Sequence, residues 1–209
     1  MDYPIIFSPP MVRALLDGRK TMTRRIPTAQ WRKVAPGDRL WVRENWQDYC
    51  PLWDGAWCGH GTTEDIVTEH LPVYRADPSD RHLRGPEGKQ GVPLKWRPSI
   101  HMPRWASRLT LAVTATKIER LQDIGWKDAI AEGIERGDPM PEVPNSHGTI
   151  WHNGMTDPLN DWTRDPTQAF RDLWTAIHGD DAWAANPEVI ALTFTVHKGN
   201  IDRPVSEKP

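Results

Sequence analysis

The chain has 209 residues, a formal net charge of -2 and 38% hydrophobic residues. This balance suits one domain with long loops and excludes a uniformly basic nucleic-acid-binding protein. Two cysteines are too few for a disulfide scaffold, and no apolar run approaches the roughly 20 residues of a membrane span. We therefore expect a single cytoplasmic domain over residues 1–209 with no membrane association.

The near-neutral net charge hides an uneven distribution along the chain. Residues 1–46 hold nine Lys and Arg against four Asp and Glu, whereas residues 119–188 hold five against fourteen. Residues 95–117 add further cations and contain no acid. If the basic segments fold together they would face a polyanion, while the acidic segment would supply carboxylates or a solvated outer face.

The first element is a short helix after Ser8, with prolines in its first turn and Gly18 at its end. It leads into the most informative segment of the chain, where two threonines lie among four cations: Gly18-Arg19-Lys20-Thr21-Met22-Thr23-Arg24-Arg25. A solvated basic turn is one interpretation, and an anion-binding or reactive site is the other. Burial can lower the pKa of a lysine until it acts as a base beside a hydroxyl.

A strand is predicted over residues 38–46, after the Pro36-Gly37 turn. Its alternation places one set of side chains opposite a second, polar set that would face a pocket: Leu40, Val42 and Glu44 against Trp41, Arg43 and Asn45. Residues 47–94 show no sustained period and are interpreted as a long loop insertion. Zinc binding by Cys50, Cys58, His60 and His70 is disfavoured, because their spacing matches no paired pattern, so no metal is expected.

Residues 96–105 mix tryptophans, cations and prolines, so they predict either the lining of a groove or a stiff turn with Trp96 and Trp105 in the core. A half-buried strand follows over residues 108–118. A short helix over residues 123–132 is ended by Gly133 and leaves Glu132 at its carboxyl end, where the helix dipole disfavours an anion.

A second long loop is predicted over residues 135–165. Asp165-Pro166-Thr167-Gln168 then predicts a capped helix, with Gln168 facing the Asp165 cap and Gly179 at its end. The last strand is predicted over residues 189–196. Strands separated by helices and loops, without regular βαβ alternation, indicate an α+β domain around a small barrel.

These pieces resemble the ASCH family of the PUA-like superfamily. The resemblance rests on the residue 18–25 motif, the Gly37-Asp38-x-Leu40 turn, the strand around Val113, the helix end Ala131-Glu132-Gly133, and segments typical of longer phage and prophage ASCH proteins. It implies a small PUA-like mixed β-barrel flanked by helices, with insertions at about 47–94 and 135–165.

The resemblance also implies an activity, since small bacterial ASCH amidohydrolases remove an acyl group from the exocyclic amine of cytidine. Carried over by motif, Lys20, Thr23 and Glu132 would be catalytic, with Thr23 as nucleophile, Lys20 as its base and Glu132 passing protons or holding the pair. No cofactor is implied. The expected substrate-binding residues are Arg25, Trp41, Arg43, Glu44 and Arg97.

The alternative is a module that binds RNA or modified nucleic acid, with a nuclease activity conceivable, or a phage accessory protein whose cleft is vestigial. The net charge favours a small nucleoside substrate, whereas the segments rich in Trp and Arg favour binding of a nucleic-acid strand. The catalytic hypothesis carries one structural condition. Lys20 and Thr23 would point to opposite faces of a regular strand, so a turn or bulge must lie between them.

Overall fold

The computed structural model describes residues 1–49, 71–77, 96–137, 150–154 and 162–203. Its strands are β1 (Asp2–Ile6), β2 (Met22–Arg25), β3 (Arg39–Arg43), β4 (Trp46–Tyr49), β5 (Leu71–Tyr74), β6 (Leu109–Arg120), β7 (Glu135–Gly137), β8 (Ile150–His152) and β9 (Glu188–Lys198). Its helices are α1 (Pro9–Leu16), α2 (Trp126–Ala131) and α3 (Pro166–His178). The chain is thus a mixed α+β protein.

Five strands form one sheet in the order β1-β3-β6-β9-β2. β1 pairs with β3 in parallel, and the other neighbours are antiparallel. The strands predicted around residues 40, 113 and 192 are therefore confirmed. Within the described ranges β1 and β2 are the two edges, and the sheet does not close into a barrel through strand pairing.

The predicted helices are confirmed with small changes at their ends. Gly18 follows α1 with φ 73°, the left-handed conformation that glycine adopts without strain. α2 begins at Trp126 rather than at residue 123, because residues Leu121–Asp123 form a 3-10 turn. Asp165 caps α3 by accepting from the Thr167 N–H at 2.8 Å, but Gln168 does not reach back to the cap. Its side chain donates to Asp172 instead.

Both segments predicted to be long loops contain strands. β4 pairs with β5 inside the first segment, and β7 pairs with β8 inside the second. These strands have three or four residues each, which is too short for a hydrophobic period to emerge from the sequence. The zinc alternative at residues 50, 58, 60 and 70 lies outside the described residues. No helix in the described part of the chain is long and apolar enough to cross a membrane.

The hydrophobic core lies between the five-stranded sheet and the helices. α1 contributes Val12 and Leu15, α3 contributes Phe170 and Leu173, and the sheet contributes buried residues from β1, β3, β6 and β9. This packing presses the turn after α1 and the end of α2 against the same side of the fold, which positions the residues described next.

A β-bulge between Val113 and Ala115 changes the course of β6. Residues paired directly across antiparallel strands share one face of the sheet. After the bulge, Lys117 pairs with Ala191, which also pairs with Arg24 of β2, and Glu119 lies two residues further on the same face. The bulge therefore brings the Glu119 carboxylate to the side of the sheet that carries Arg24.

Candidate active site

Lys20 lies in the turn between α1 and β2, and it is almost completely buried, with 2% of its surface exposed. Its backbone N–H donates to Ala14 at 3.0 Å, and Lys20 forms an isolated β-bridge with Glu132 at the end of α2. The Lys20 ammonium donates to Glu132 Oε2 at 2.8 Å and to the Glu132 carbonyl at 2.6 Å. The structure thus joins two of the three proposed catalytic residues directly.

Gly133 permits this close approach of α2 to the turn. Its φ is +95°, and a Cβ there would lie 3.0 Å from Ala14 Cβ and 3.1 Å from Lys20 Cβ. Both contacts are tighter than ordinary van der Waals distances, and the backbone conformation is one that side chains with a Cβ rarely adopt. Glycine is therefore required at the point where the Glu132 carboxylate meets Lys20.

Arg24 is the second buried cation of the site, and its guanidinium is enclosed by carboxylates. It donates to Glu119 Oε1 at 3.0 and 2.7 Å, to Asp128 at 2.9 Å, and to Glu132 Oε1 at 3.1 Å. Lys20 and Arg24 thus hold opposite oxygens of the Glu132 carboxylate. We call Lys20, Arg24, Glu119, Asp128 and Glu132 the Lys20 cluster.

Burial lowers the pKa of the Lys20 ammonium below its usual value. The Glu132 carboxylate opposes this shift, whereas the neighbouring Arg25 and Arg24 cations add to it. A buried amine with a lowered pKa reaches the neutral, proton-accepting form at a lower pH than an exposed lysine does. The arrangement therefore suits Lys20 to general-base chemistry.

A cavity of about 40 Å³ adjoins the cluster. Among the described residues, the Thr23 hydroxyl makes no hydrogen bond although Thr23 is buried. The polar lining is formed by Lys20, Thr23, Arg24, Arg25, Glu132 and His178, and the apolar lining by Phe7, Met11, Phe170, Leu173, Trp174 and Ile177. The three proposed catalytic residues thus all line one cavity, with Lys20 at an isolated bridge before β2 and Thr23 within β2.

His178 joins the cavity from the last turn of α3 and packs on Trp174, with ring centroids 4.1 Å apart. Burial, and then the Arg25 cation, lower the pKa of its imidazole, so the ring is neutral at pH 7. Sequence reasoning missed His178, because its only signal was the position of a histidine one turn after Trp174 on the helix.

The other four expected substrate-binding residues do not line this cavity. Trp41 and Arg43 stack on each other on β3, with the guanidinium 5.3 Å from the ring centroid, and Arg43 also donates to the Ile100 carbonyl. Glu44 is buried in a separate ion pair with Arg108. Arg97 stacks on Trp46. In the sheet β6 and β9 lie between β3 and β2, so these side chains are held away from Lys20 and are not part of the candidate active site.

The segment over residues 96–105 forms an outer surface rather than a buried turn at its distal end. Trp105 is 53% exposed and meets the buried Trp46 edge to face, with ring centroids 5.8 Å apart. Ile100 is also exposed. The interpretation that put Trp96 and Trp105 in the core is therefore wrong for Trp105, which lies at the surface. Met102 lies instead in a small core with Trp46, Tyr74 and Ala106. None of residues 96–105 lines the cavity beside Lys20.

Several cations of the basic segments pair with carboxylates of the acidic segment. Arg24 pairs with Glu119, Asp128 and Glu132, and Arg32 pairs with Glu188. The interpretation of residues 18–25 as a solvated turn fails for Lys20 and Arg24, which are both buried. Sequence analysis missed Arg24, Glu119 and Asp128 as a unit, because nothing local in β6 marks the bulge that aligns Glu119.

The Lys20 cluster is a charge-paired unit beside a small cavity, and all its members except Asp128 are buried. Within the described ranges, no group of three His, Cys, Asp or Glu side chains is arranged to hold a metal ion. The site and fold thus define an α+β protein with a lysine–carboxylate centre. Comparison of the chain with family models, curated proteins and solved structures finds no match.

Proposed function

We propose that this chain is an amidohydrolase that removes an acyl group from the exocyclic amine of an acylated cytosine nucleoside. The observation that carries the proposal is the buried Lys20 amine, paired with Glu132 at 2.8 Å, on a cavity that Thr23 also lines. An activated hydroxyl beside a base is the arrangement that acyl transfer requires. The identity of the leaving group, the exocyclic amine of a cytosine base, rests on the resemblance to ASCH amidohydrolases.

The proposed reaction begins with the neutral Lys20 amine, which accepts the Thr23 hydroxyl proton as Oγ1 attacks the acyl carbon. The tetrahedral intermediate collapses when its carbon–nitrogen bond breaks, and the leaving exocyclic amine takes the proton from the Lys20 ammonium. Water, deprotonated by Lys20, then attacks the Thr23 ester. The bond from the acyl carbon to Thr23 Oγ1 breaks, Lys20 returns the proton to Oγ1, and a carboxylic acid is released. Glu132 holds the Lys20 side chain in register throughout.

The size of the cavity limits what enters it. About 40 Å³ holds a few water molecules, whereas pockets for whole drug-sized ligands measure roughly 300–1,000 Å³. Only the acylated amine would therefore enter, with the sugar at the open side near Arg25 and His178. The internal pairing of basic and acidic segments supports a small substrate over a long polyanion.

We also propose that the fold is a PUA-like barrel. The edge strands β1 and β2 lie close to each other, because the Arg25 side chain donates to the Ile6 carbonyl at 2.8 Å and stacks 5.0 Å from the Phe7 ring centroid. We infer a barrel-like sheet that is completed at this edge by side-chain contacts instead of a strand ladder.

The activity is tested by incubating the purified protein with acetylcytidine and measuring the change in ultraviolet absorbance as cytidine forms. Thr23→Val is nearly isosteric and removes only the hydroxyl, whereas Thr23→Ser is the matched control that keeps it. We expect turnover to be lost in Thr23→Val and largely retained in Thr23→Ser, with similar melting temperatures. An inactive wild-type protein on every acylcytidine would refute the proposed function, and an active Thr23→Val would assign the attack to water instead.

A further inference from the structure

Arg24 and Arg25 are neighbours on β2, but their guanidinium groups have opposite surroundings. Arg24 contacts three carboxylates, whereas Arg25 makes one hydrogen bond to the described residues, from Nη2 to the Ile6 carbonyl at 2.8 Å. A guanidinium carries five N–H donors. In the described part of the chain, the remaining donors of Arg25 have no carboxylate partner, and Arg25 lines the cavity.

The charge balance of the site makes Arg25 the excess cation. The three carboxylates of the Lys20 cluster are matched by Lys20, Arg24 and Lys117, whose ammonium lies 2.6 Å from Glu119 Oε2. The positive charge of Arg25 acts on two neighbouring groups, since it lowers the pKa of both Lys20 and His178. A half-buried charge without a counter-ion is costly, so an anion bound at this position would stabilise the site.

We propose that Arg25 binds a phosphate group of the substrate at the open side of the cavity, so that the substrate class is an acylated cytidine nucleotide rather than the free nucleoside. The planar fork of an arginine matches two oxygens of a phosphate. The alternative ligand is the oxyanion of the reaction intermediate. It exists only during turnover, so it does not offset the unfavourable burial of the Arg25 charge in the resting protein. The nucleotide assignment rests on the proposed function, whereas the phosphate site itself does not.

Binding of cytidine 5′-monophosphate, measured by calorimetry against uncharged cytidine, tests the site directly. Loss of a charge-assisted contact should weaken nucleotide binding about 10- to 150-fold in Arg25→Gln. Arg120→Gln is the matched control, because Arg120 also donates to one backbone carbonyl and has no carboxylate partner in the described residues, but lies outside the cavity. Arg25→Lys keeps the charge without the fork and should be intermediate.

Equal nucleotide affinity in the wild-type and Arg25→Gln proteins would overturn the proposal, as would no binding by the wild type at about 10 mM nucleotide. Should Arg25→Gln fail to fold, as judged by circular dichroism, the comparison of wild-type protein with Arg25→Lys decides. An affinity loss of at least severalfold for the nucleotide, with none for cytidine, supports the phosphate site.

Turnover separates this inference from the proposed function. We expect kcat/KM for acetylcytidine 5′-monophosphate to exceed that for acetylcytidine about 10-fold or more, and the ratio to fall to near one in Arg25→Gln. Equal losses on both substrates would assign Arg25 to the oxyanion and refute the phosphate site. Arg25-dependent nucleotide binding without any acyl hydrolysis would refute the proposed activity and leave the phosphate site in place.

Discussion

Glu132 and Glu44 are both buried carboxylates held by an arginine, yet the two surroundings differ in what they can do. Arg108 holds Glu44 with a two-point fork at 2.8 and 3.0 Å, contacts Asp77 at 2.7 Å, and lies over the Tyr74 ring. Both Glu44 oxygens are thus taken by one permanent cation. Glu132 instead divides its oxygens between Arg24 and the amine of Lys20.

The difference shows that a buried ion pair by itself does not mark a reactive site. Arg108 ties the end of β3 to residues 74–77 and keeps its charge at any accessible pH, so the Glu44 pair is structural. Lys20 is a titratable partner, and it lies beside a cavity that Thr23 also lines. The distinguishing features are therefore a titratable partner and space for a substrate next to it.

The largest expected effect is a loss of catalytic rate at the Lys20 cluster. Lys20→Met should reduce kcat about 10²- to 10⁴-fold on acetylcytidine, the range that general acid–base groups contribute. The Lys20→Met/Thr23→Val double variant should be no slower than the slower single variant by more than about threefold, because both side chains serve one step. Fully additive losses, measured by initial rates, would show that the two residues act independently.

The next effect concerns stability and compares the two arginines. Arg24→Met leaves three carboxylates without their shared cation and should cost about 3–5 kcal/mol of unfolding free energy. Arg108→Met should cost less, about 1–3 kcal/mol, because one deeply buried carboxylate, Glu44, loses its cation there, whereas Arg24→Met removes a cation from two, Glu119 and Glu132. Urea unfolding at pH 7 measures both, and a larger loss in Arg108→Met would reverse our ranking.

The smallest effect is a pair of opposite pH slopes. Burial raises the pKa of Glu44 above its usual 4.5, and Arg108 opposes this shift. Between 4.5 and the pKa of the folded state, the folded protein binds more protons than the unfolded chain. The free energy of unfolding therefore falls as pH rises through this range. The pKa of Lys20 is lowered from the usual 10.5, so its unfolded form binds more protons and stability rises with pH up to that value.

Unfolding free energies measured across pH check these two signs. Glu44→Gln should remove the fall on the acidic side, and Lys20→Met should remove the rise on the alkaline side. Lys33→Met, at a surface 3-10 turn, is the control for lysine loss and should leave the alkaline slope unchanged. Slopes of the same sign for the two clusters would contradict our assignment of their proton equilibria.

Much of the architecture followed from local signals in the sequence. Gly18 and Gly179 ended helices where predicted, and Asp165 capped α3, because these preferences depend on a few adjacent backbone groups. The strands β3, β6 and β9 followed from alternating apolar residues. The hairpins inside residues 47–94 and 135–165 were missed, because such short strands depend on their partners rather than on their own pattern.

The candidate site was predictable in part. The sequence motif brought attention to Lys20, Thr23 and Glu132, and the structure places all three on one cavity. Four residues expected there lie elsewhere: Trp41, Arg43, Glu44 and Arg97. The order of strands in a sheet decides which side chains lie close together, and this order cannot be predicted from any one segment.

The sequence by itself determined where helices begin and end, which strands are half-buried, and that an ionisable motif follows α1, since these are properties of neighbouring residues. Only the tertiary structure decided that some cations of the basic segment pair with carboxylates of the acidic one, that Glu119 reaches Arg24 through the bulge in β6, and that Arg25 has no carboxylate partner among the described residues. Lys20 and Glu132 are 112 positions apart, and such a pairing is fixed by the packing of α2 against the turn and by the requirement that buried charges find partners.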